Sequence, residues 1–182
     1  MRPTLDIGGL DQFEINQSKQ YAYFVRNAHN IRNFVGAFHK LKKKQTHWAA
    51  DPKFFESNPF FADWLRSLPP ELQINYPADN SPPWIPSHFV ANMHSHFHLG
   101  IILLHRPQLV ASKSFAAGGD WRIHLSLCYS SAKKLCRLQE AVLGYYGLSG
   151  LLFMQRGINF TIYCILVCTM LHLVSTSDFC FT

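Results

Sequence analysis

The segment MHSHFHLGIILLHRP, residues 93 to 107, constrains the fold more than any other stretch of this chain. Its apolar residues Met93, Phe97, Ile101 and Leu104 recur at intervals of four, four and three, the period of a helix buried along one side. A strand would need strict alternation, and a run of this length is too long for an ordinary one. Helical spacing also bears on the most tempting chemistry, the alternation of His94, His96 and His98. At about 100° per residue, His98 lies about 40° and His105 about 20° from His94, whereas His96 falls near 200°, on the far side. The three alternating histidines therefore cannot meet one ion. His94 and His98 form an i, i+4 pair that could share one, but His105 stands roughly 10 Å farther along the axis. The pair also lacks the glutamate of the metalloprotease helix motif. In a strand all three would face one way, as alternating zinc ligands do. The segment is read as a helix whose histidines touch the core on one face and water on the other. It is expected to stop before Pro107, because the residue preceding a proline is pushed out of the helical region. No catalytic, cofactor-binding or metal-ligating residue is assigned.

The rest of the chain reads the same way. Tyr21, Phe24, Ala28, Ile31, Val35 and Phe38 are spaced by three and four, which predicts a long amphipathic helix ending near Lys44. Ser57-Asn58-Pro59 forms a helix start with proline in the first turn. Phe60, Phe61, Trp64, Leu65 and Leu68 then line a short helix that Pro69-Pro70 stops. The proline-rich stretch YPADNSPPWIP, residues 76 to 86, is a loop, and the helix carrying the histidines starts near Ser87. Residues 112 to 119 form another loop, after which Asp120 caps a helix bearing Leu125, Cys128, Ala132, Leu135, Leu138 and Val142. Gly144, Gly147 and Gly150 mark a turn, and a last apolar segment runs from about Ile158 to Val174. With no alternating pattern of useful length and no internal repeat, the architecture is an all-α, irregular multi-helix domain. The organisation expected is a segment 1–56 with one long helix, a helical domain over 57–176 and an irregular tail over 177–182.

Composition sharpens this. Charged residues are only 15% of the chain while 48% are hydrophobic, against a charged share of about 25% in ordinary globular proteins. Polar surface is therefore scarce, so the chain either packs against more protein or enters a membrane in part. The net charge of +6 is dispersed and makes no strong field. The one basic run, Lys40-Leu-Lys42-Lys43-Lys44, reads as the solvated end of a helix, where lysines complement the dipole, with a nuclear-import or nucleic-acid patch as the alternative. Five cysteines (Cys128, Cys136, Cys164, Cys168 and Cys180) are odd in number and none are two residues apart. They read as buried free thiols in a reducing compartment. Cys164 and Cys168 share a helix face, but two thiols do not close a tetrahedral metal site. The N-terminus lacks an apolar run of signal-peptide length, so secretion is not expected. Residues 158 to 174 are seventeen in number, short of the about 20 that a membrane span needs, and Asn159, Thr161, Thr169 and His172 dilute them. A core helix is the first reading there and a membrane anchor the second.

Several strings then acquire a joint meaning. The Trp-Leu…Leu-Pro helix at 64 to 69 and the Trp-Ile-Pro loop at 84 to 86 precede the histidine-rich helix that closes on ILLHRP at 102 to 107. A helix from Trp121 carrying Cys128, Ser131 and Ala132 follows, and then RGINFTIYCILVCTMLHLV at 156 to 174. This order, over roughly residues 57 to 176, resembles the regulatory middle region of fungal zinc-cluster transcription factors, the fungal-specific transcription factor domain. The resemblance implies a non-enzymatic, all-α regulatory domain of a nuclear protein, here an incomplete part of a larger one. Its implied partners are other parts of the same transcription factor or regulatory proteins, with a homodimer as one option and a membrane not expected. DNA would be bound only through a separate N-terminal module in which six cysteines, beginning Cys-x2-Cys-x6-Cys, hold two zinc ions. The first cysteine here is Cys128, so neither zinc nor DNA contact carries over to any residue, and no cofactor is expected in this chain. The alternative is a small membrane-associated protein anchored by residues 158 to 174.

Overall fold

The computed structural model describes residues 12–44, 58–111, 121–152 and 157–179. These contain five α-helices and one 3-10 turn in the order α1 (Gln12–Lys44), α2 (Asn58–Arg66), the turn Pro70–Leu72, α3 (His88–Ala111), α4 (Trp121–Leu152) and α5 (Gly157–Phe179). No strand occurs among the described residues, so the all-α reading holds. The expected loop at 112–119, the Asp120 cap and Cys180 lie outside the described residues.

Most element boundaries follow local chemistry. Ser87 caps α3, its Oγ accepting the backbone N–H of Val90 at 3.2 Å and so satisfying one of the four free amides of the first turn. α2 ends where Pro69 and Pro70 cannot continue it, and the chain tightens into the 3-10 turn. Gly147 breaks α4 with φ of 63°, a left-handed conformation that glycine adopts without a Cβ clash. The expected turn at Gly144–Gly150 is thus a kink at one glycine, and helix resumes to Leu152. Two further expectations need correction. α3 does not stop before Pro107; it runs through the proline to Ala111. Pro107 removes only the amide that would bond the Leu103 carbonyl, and Leu109, beyond it, still packs on the core. Packing there outweighs the local bias against helix. On α1 the buried face is centred on Asn27 and Phe34, with Tyr21 at the exposed edge, because the polar Asn27 lies in the middle of the stripe.

α3 is the axis of the molecule. α4 runs antiparallel along it, with Ser95 bonded to Gln139, Ile102 to Cys128 and His105 to His124. α1 and α2 cover another side, and α5 returns along α4. One core gathers Phe34, Phe61, Trp64, Leu68, Met93, Phe97, Leu138 and Val142 between α1, α2, α3 and α4. A second joins Leu99, Ile102, Cys128, Leu135, Phe160, Cys164 and Leu171 between α3, α4 and α5. Gly100 sets the closest approach in the first core: a Cβ there would lie 2.8 Å from Phe61 Cε1 and 3.2 Å from Ile31 Cγ1. α1 and α2 can seat against α3 at that depth only because the side chain is absent.

Candidate functional site

With α3 surrounded, its histidines are all withdrawn from water: His94, His96, His98 and His105 are each buried. The expectation of one wet face is therefore wrong, because helices lie against both sides of α3. The angular separation does hold. His96 points away from His94 and His98. Its Nδ1–H donates to the Asn92 carbonyl at 2.9 Å, and its ring stacks on Phe160 of α5 at 3.9 Å and meets Phe24 of α1 edge-on at 5.1 Å. His94 and His98 face the segment after α2. His94 donates its Nε2–H to the Leu72 carbonyl at 2.8 Å, and His98 Nε2 shares a proton with the Tyr76 hydroxyl at 3.1 Å. His105 reaches α4, where its Nδ1 lies 2.9 Å from Nδ1 of His124.

Leu65, Arg66, Gln73 to Tyr76, His94, His98 and Lys134 enclose a cleft of about 410 Å³. Its floor is the His94–His98 face of α3 and one wall is Tyr76. The cations Lys134 and Arg137 stand over the Tyr76 ring at 5.5 and 5.3 Å from its centroid, favourable placements against the negative face of the ring. Arg137 is itself buried and clamps the proline-rich loop, its guanidinium donating to the Pro77 carbonyl at 2.8 Å and the Ser81 carbonyl at 3.0 Å. An Asx turn shapes that loop: Asp79 accepts the Ser81 amide at 2.9 Å and its hydroxyl at 2.7 Å, followed by a left-handed Asn80 with φ of 64°. The hydrogen bonds from the Ser81 side chain and amide hold the Asp79 carboxyl below its usual range.

The electrostatics of the cleft are those of neutral bases beside fixed cations. Burial pushes His98 well below the ordinary histidine range, with His94 and the Lys134 ammonium acting in the same direction. Burial also lowers His94, against which its bond to Leu72 acts. The Tyr76 phenol is held above its ordinary range by burial, only partly offset by Arg137. No carboxylate is among the lining side chains; Asp63, nearby, is taken up by an ion pair with Arg66 in which both are well exposed. Nδ1 of His98 finds no hydrogen-bond partner among the described residues. The cleft thus offers a buried ring nitrogen, a phenol, two amide side chains and the cations Arg66 and Lys134. It can hold a hydrogen-bonding, negatively charged group. It presents no paired acid and base and no nucleophile activated by a base.

Among the described residues no three histidine, cysteine or carboxylate side chains gather where a metal ion could be held. The double-zinc cluster of the family resemblance needs six thiolates with two-residue spacings, and a chain with five cysteines, none two apart, does not fit it. Sequence reasoning assigned no site residue here, and it missed Tyr76, Lys134 and Arg137. The one available signal was the aromatic and polar content of a proline-rich loop beside a histidine helix. That loop's position against α4 is set some sixty residues away, by Arg137. Comparison with protein families, with curated proteins and with solved structures returns no match for this chain.

Proposed function

We propose that the chain is a helical regulatory domain of a fungal zinc-cluster transcription factor, non-enzymatic and nuclear, that controls transcription without itself touching DNA. The order of motifs from the Trp-Leu…Leu-Pro helix through ILLHRP to the last apolar helix supports the family. The observation that carries the functional half is the cleft under Tyr76: it can bind but holds no constellation for turnover. In this reading the cleft takes a small anionic effector, with Lys134 as counter-ion and His98 and Tyr76 as hydrogen-bonding partners, and α3 passes its occupancy to both cores. DNA contact and zinc belong to the family's separate cysteine module, whose pattern these residues do not carry.

The test is a reporter assay in which the chain is fused to an unrelated DNA-binding domain. The expected outcome is a reproducible change in transcription that Lys134→Glu alters while helix content is retained. A fusion that accumulates in the nucleus yet leaves transcription unchanged with both sequences would sink the reading.

One observation favours a second reading, a protein held at a membrane surface. Ile162, Ile165, Leu166, Met170 and Leu173 form an exposed apolar face on α5. No described helix is long and apolar enough to cross a membrane, so the contact would be lateral. Salt-resistant co-sedimentation with vesicles would support it, and a chain left in the supernatant would count against it.

A further inference from the structure

Four thiols are set into the α4–α5 interface. On α4, Cys128, Ala132 and Cys136 follow one another at four-residue steps, and on α5 so do Cys164, Cys168 and His172. Residues so spaced stack along one helix face, and the two columns meet. Cys168 Sγ donates to the Ala132 carbonyl at 3.5 Å. Cys136, one turn beyond Ala132, therefore lies beside Cys168, and the two line one pocket. The four sulfurs are not equivalent. Cys128, Cys164 and Cys168 are buried, whereas Cys136 is only partly buried. With Cys164, Cys168, Gln139 and Glu140 it lines a pocket of about 250 Å³ whose remaining walls are Leu135, Leu143, Leu151 and Ile165.

We propose that Cys136 is a peroxide-reactive thiol and Cys168 its resolving partner, so that an apolar organic hydroperoxide entering this pocket converts the pair into a disulfide joining α4 to α5. The inference is independent of the regulatory reading above, since it rests on a different face of the molecule.

Several features give Cys136 this role rather than a neighbour. The thiolate is the attacking species. The neighbouring Cys168 and His172 hold the Cys136 thiol below its ordinary range, against the opposing effects of burial and Glu140. Burial pushes Cys128 and Cys164 up to about 12, which leaves them protonated and inert. Cys168 is pushed up by the neighbouring Cys136 and by burial, and its S–H is held by the Ala132 carbonyl, so it waits as the thiol. In the first step the Cys136 thiolate attacks the terminal peroxide oxygen. The O–O bond breaks, an S–O bond forms, and the alkoxide leaves as the alcohol after taking a proton from solvent. In the second step the Cys168 sulfur attacks the sulfenic acid. An S–S bond forms, the S–O bond breaks, and the hydroxyl leaves as water with the Cys168 proton. Two thiols are oxidised and one hydroperoxide is reduced to an alcohol and water.

The experiment treats the full chain with limiting cumene hydroperoxide and maps its peptides without reduction. The expected product is one intramolecular disulfide between Cys136 and Cys168, accompanied by loss of two hydrogens in the intact mass. In Cys168→Ser the expected product is a sulfenic acid on Cys136 that dimedone captures, and Cys136→Ser should resist the same dose. Should either variant fail to fold, competitive alkylation of the unsubstituted chain decides: Cys136 should react at least about tenfold faster than Cys128 or Cys164. Oxidation spread evenly over the cysteines, a disulfide that excludes Cys136, or equal alkylation rates would overturn the proposal. Equal reaction with hydrogen peroxide would overturn its preference for an apolar substrate.

Discussion

α3 and α5 exchange the roles their compositions suggest. α3 carries Asn92, His94, Ser95, His96, His98 and His105, and every one of these polar side chains is buried. α5 is the more apolar helix, yet Leu166 is 58% and Leu173 61% exposed while His94 on α3 is 2% exposed. The difference lies in the neighbours. α3 is enclosed by α1, α2, the 73–76 segment, α4 and α5, so that every residue from Val90 to Gly100 is buried. α5 meets α4 and the edge of α3 through Phe160, Cys164, Val167, Cys168 and Leu171, and on its outer side Ile162, Ile165, Leu166 and Met170 stay exposed. Burial is decided by how many elements surround a helix, and hydropathy decides only how much that arrangement costs.

That cost is visible on α3 and where α1 and α4 lie against it. Both side-chain amide atoms of Asn92, Oδ1 of Asn27, Oε1 of Gln139 and Nδ1 of His98 are buried without a hydrogen-bond partner among the described residues. Each such group costs about 1–3 kcal/mol. A helix optimised for stability alone would carry leucine at such positions. Retaining them is what a helix would do if its polar atoms serve binding or a change of conformation.

The sharpest way to break the contrast is truncation at the centre. Ile102→Ala, at a site with no exposure, should lower stability by about 2–5 kcal/mol, read as a shift in the urea midpoint. If the loss were under about 1 kcal/mol, α3 would not be the packed axis described.

Acid should act next, through the buried histidines of α3. His94, His98 and His105 are held neutral in the fold, each below the unfolded value of about 6.5. Burial, aided by His124, takes His105 down to about 4. A depressed histidine leaves the unfolded chain binding more protons, so stability is complete above pH about 6.5 and falls as pH drops toward the folded value. The urea midpoint should decline between pH about 6.5 and about 4, and His105→Gln should flatten part of that decline. A midpoint independent of pH over that window would show that these rings are hydrated.

A smaller effect of opposite sign is expected from Asn92→Leu, which removes two unpartnered polar atoms and should raise stability by about 1 kcal/mol. Destabilisation by a similar amount would mean that the amide is satisfied in solution. Least of all should be felt at the outer face of α5, where Leu166→Ser with Met170→Ser should change stability by no more than about 0.5 kcal/mol while reducing light scattering by the concentrated protein. A large loss would show that this face is covered in the free chain.

The helices themselves were legible in the sequence, and so were several of their limits. Ser87 and Val90 close the start of α3 through contacts three residues apart, and Pro69-Pro70 stops α2 by covalent geometry. The opposite directions of His96 and His98 follow from the turn per residue. The candidate cleft was not legible, because Tyr76, His98, Lys134 and Arg137 come together only when α4 folds back on α3. Cys136 and Cys168 are likewise brought into contact only by the return of α5 along α4, thirty-two residues later in the chain. Even the end of α3 was settled by tertiary contacts: Leu109 on the core carries the helix past a proline before which local preference would have ended it. Short-range steric and hydrogen-bonding rules fixed what each segment is. Which side of each helix meets water was left to the assembled fold, since burial depends on partners that no local pattern contains.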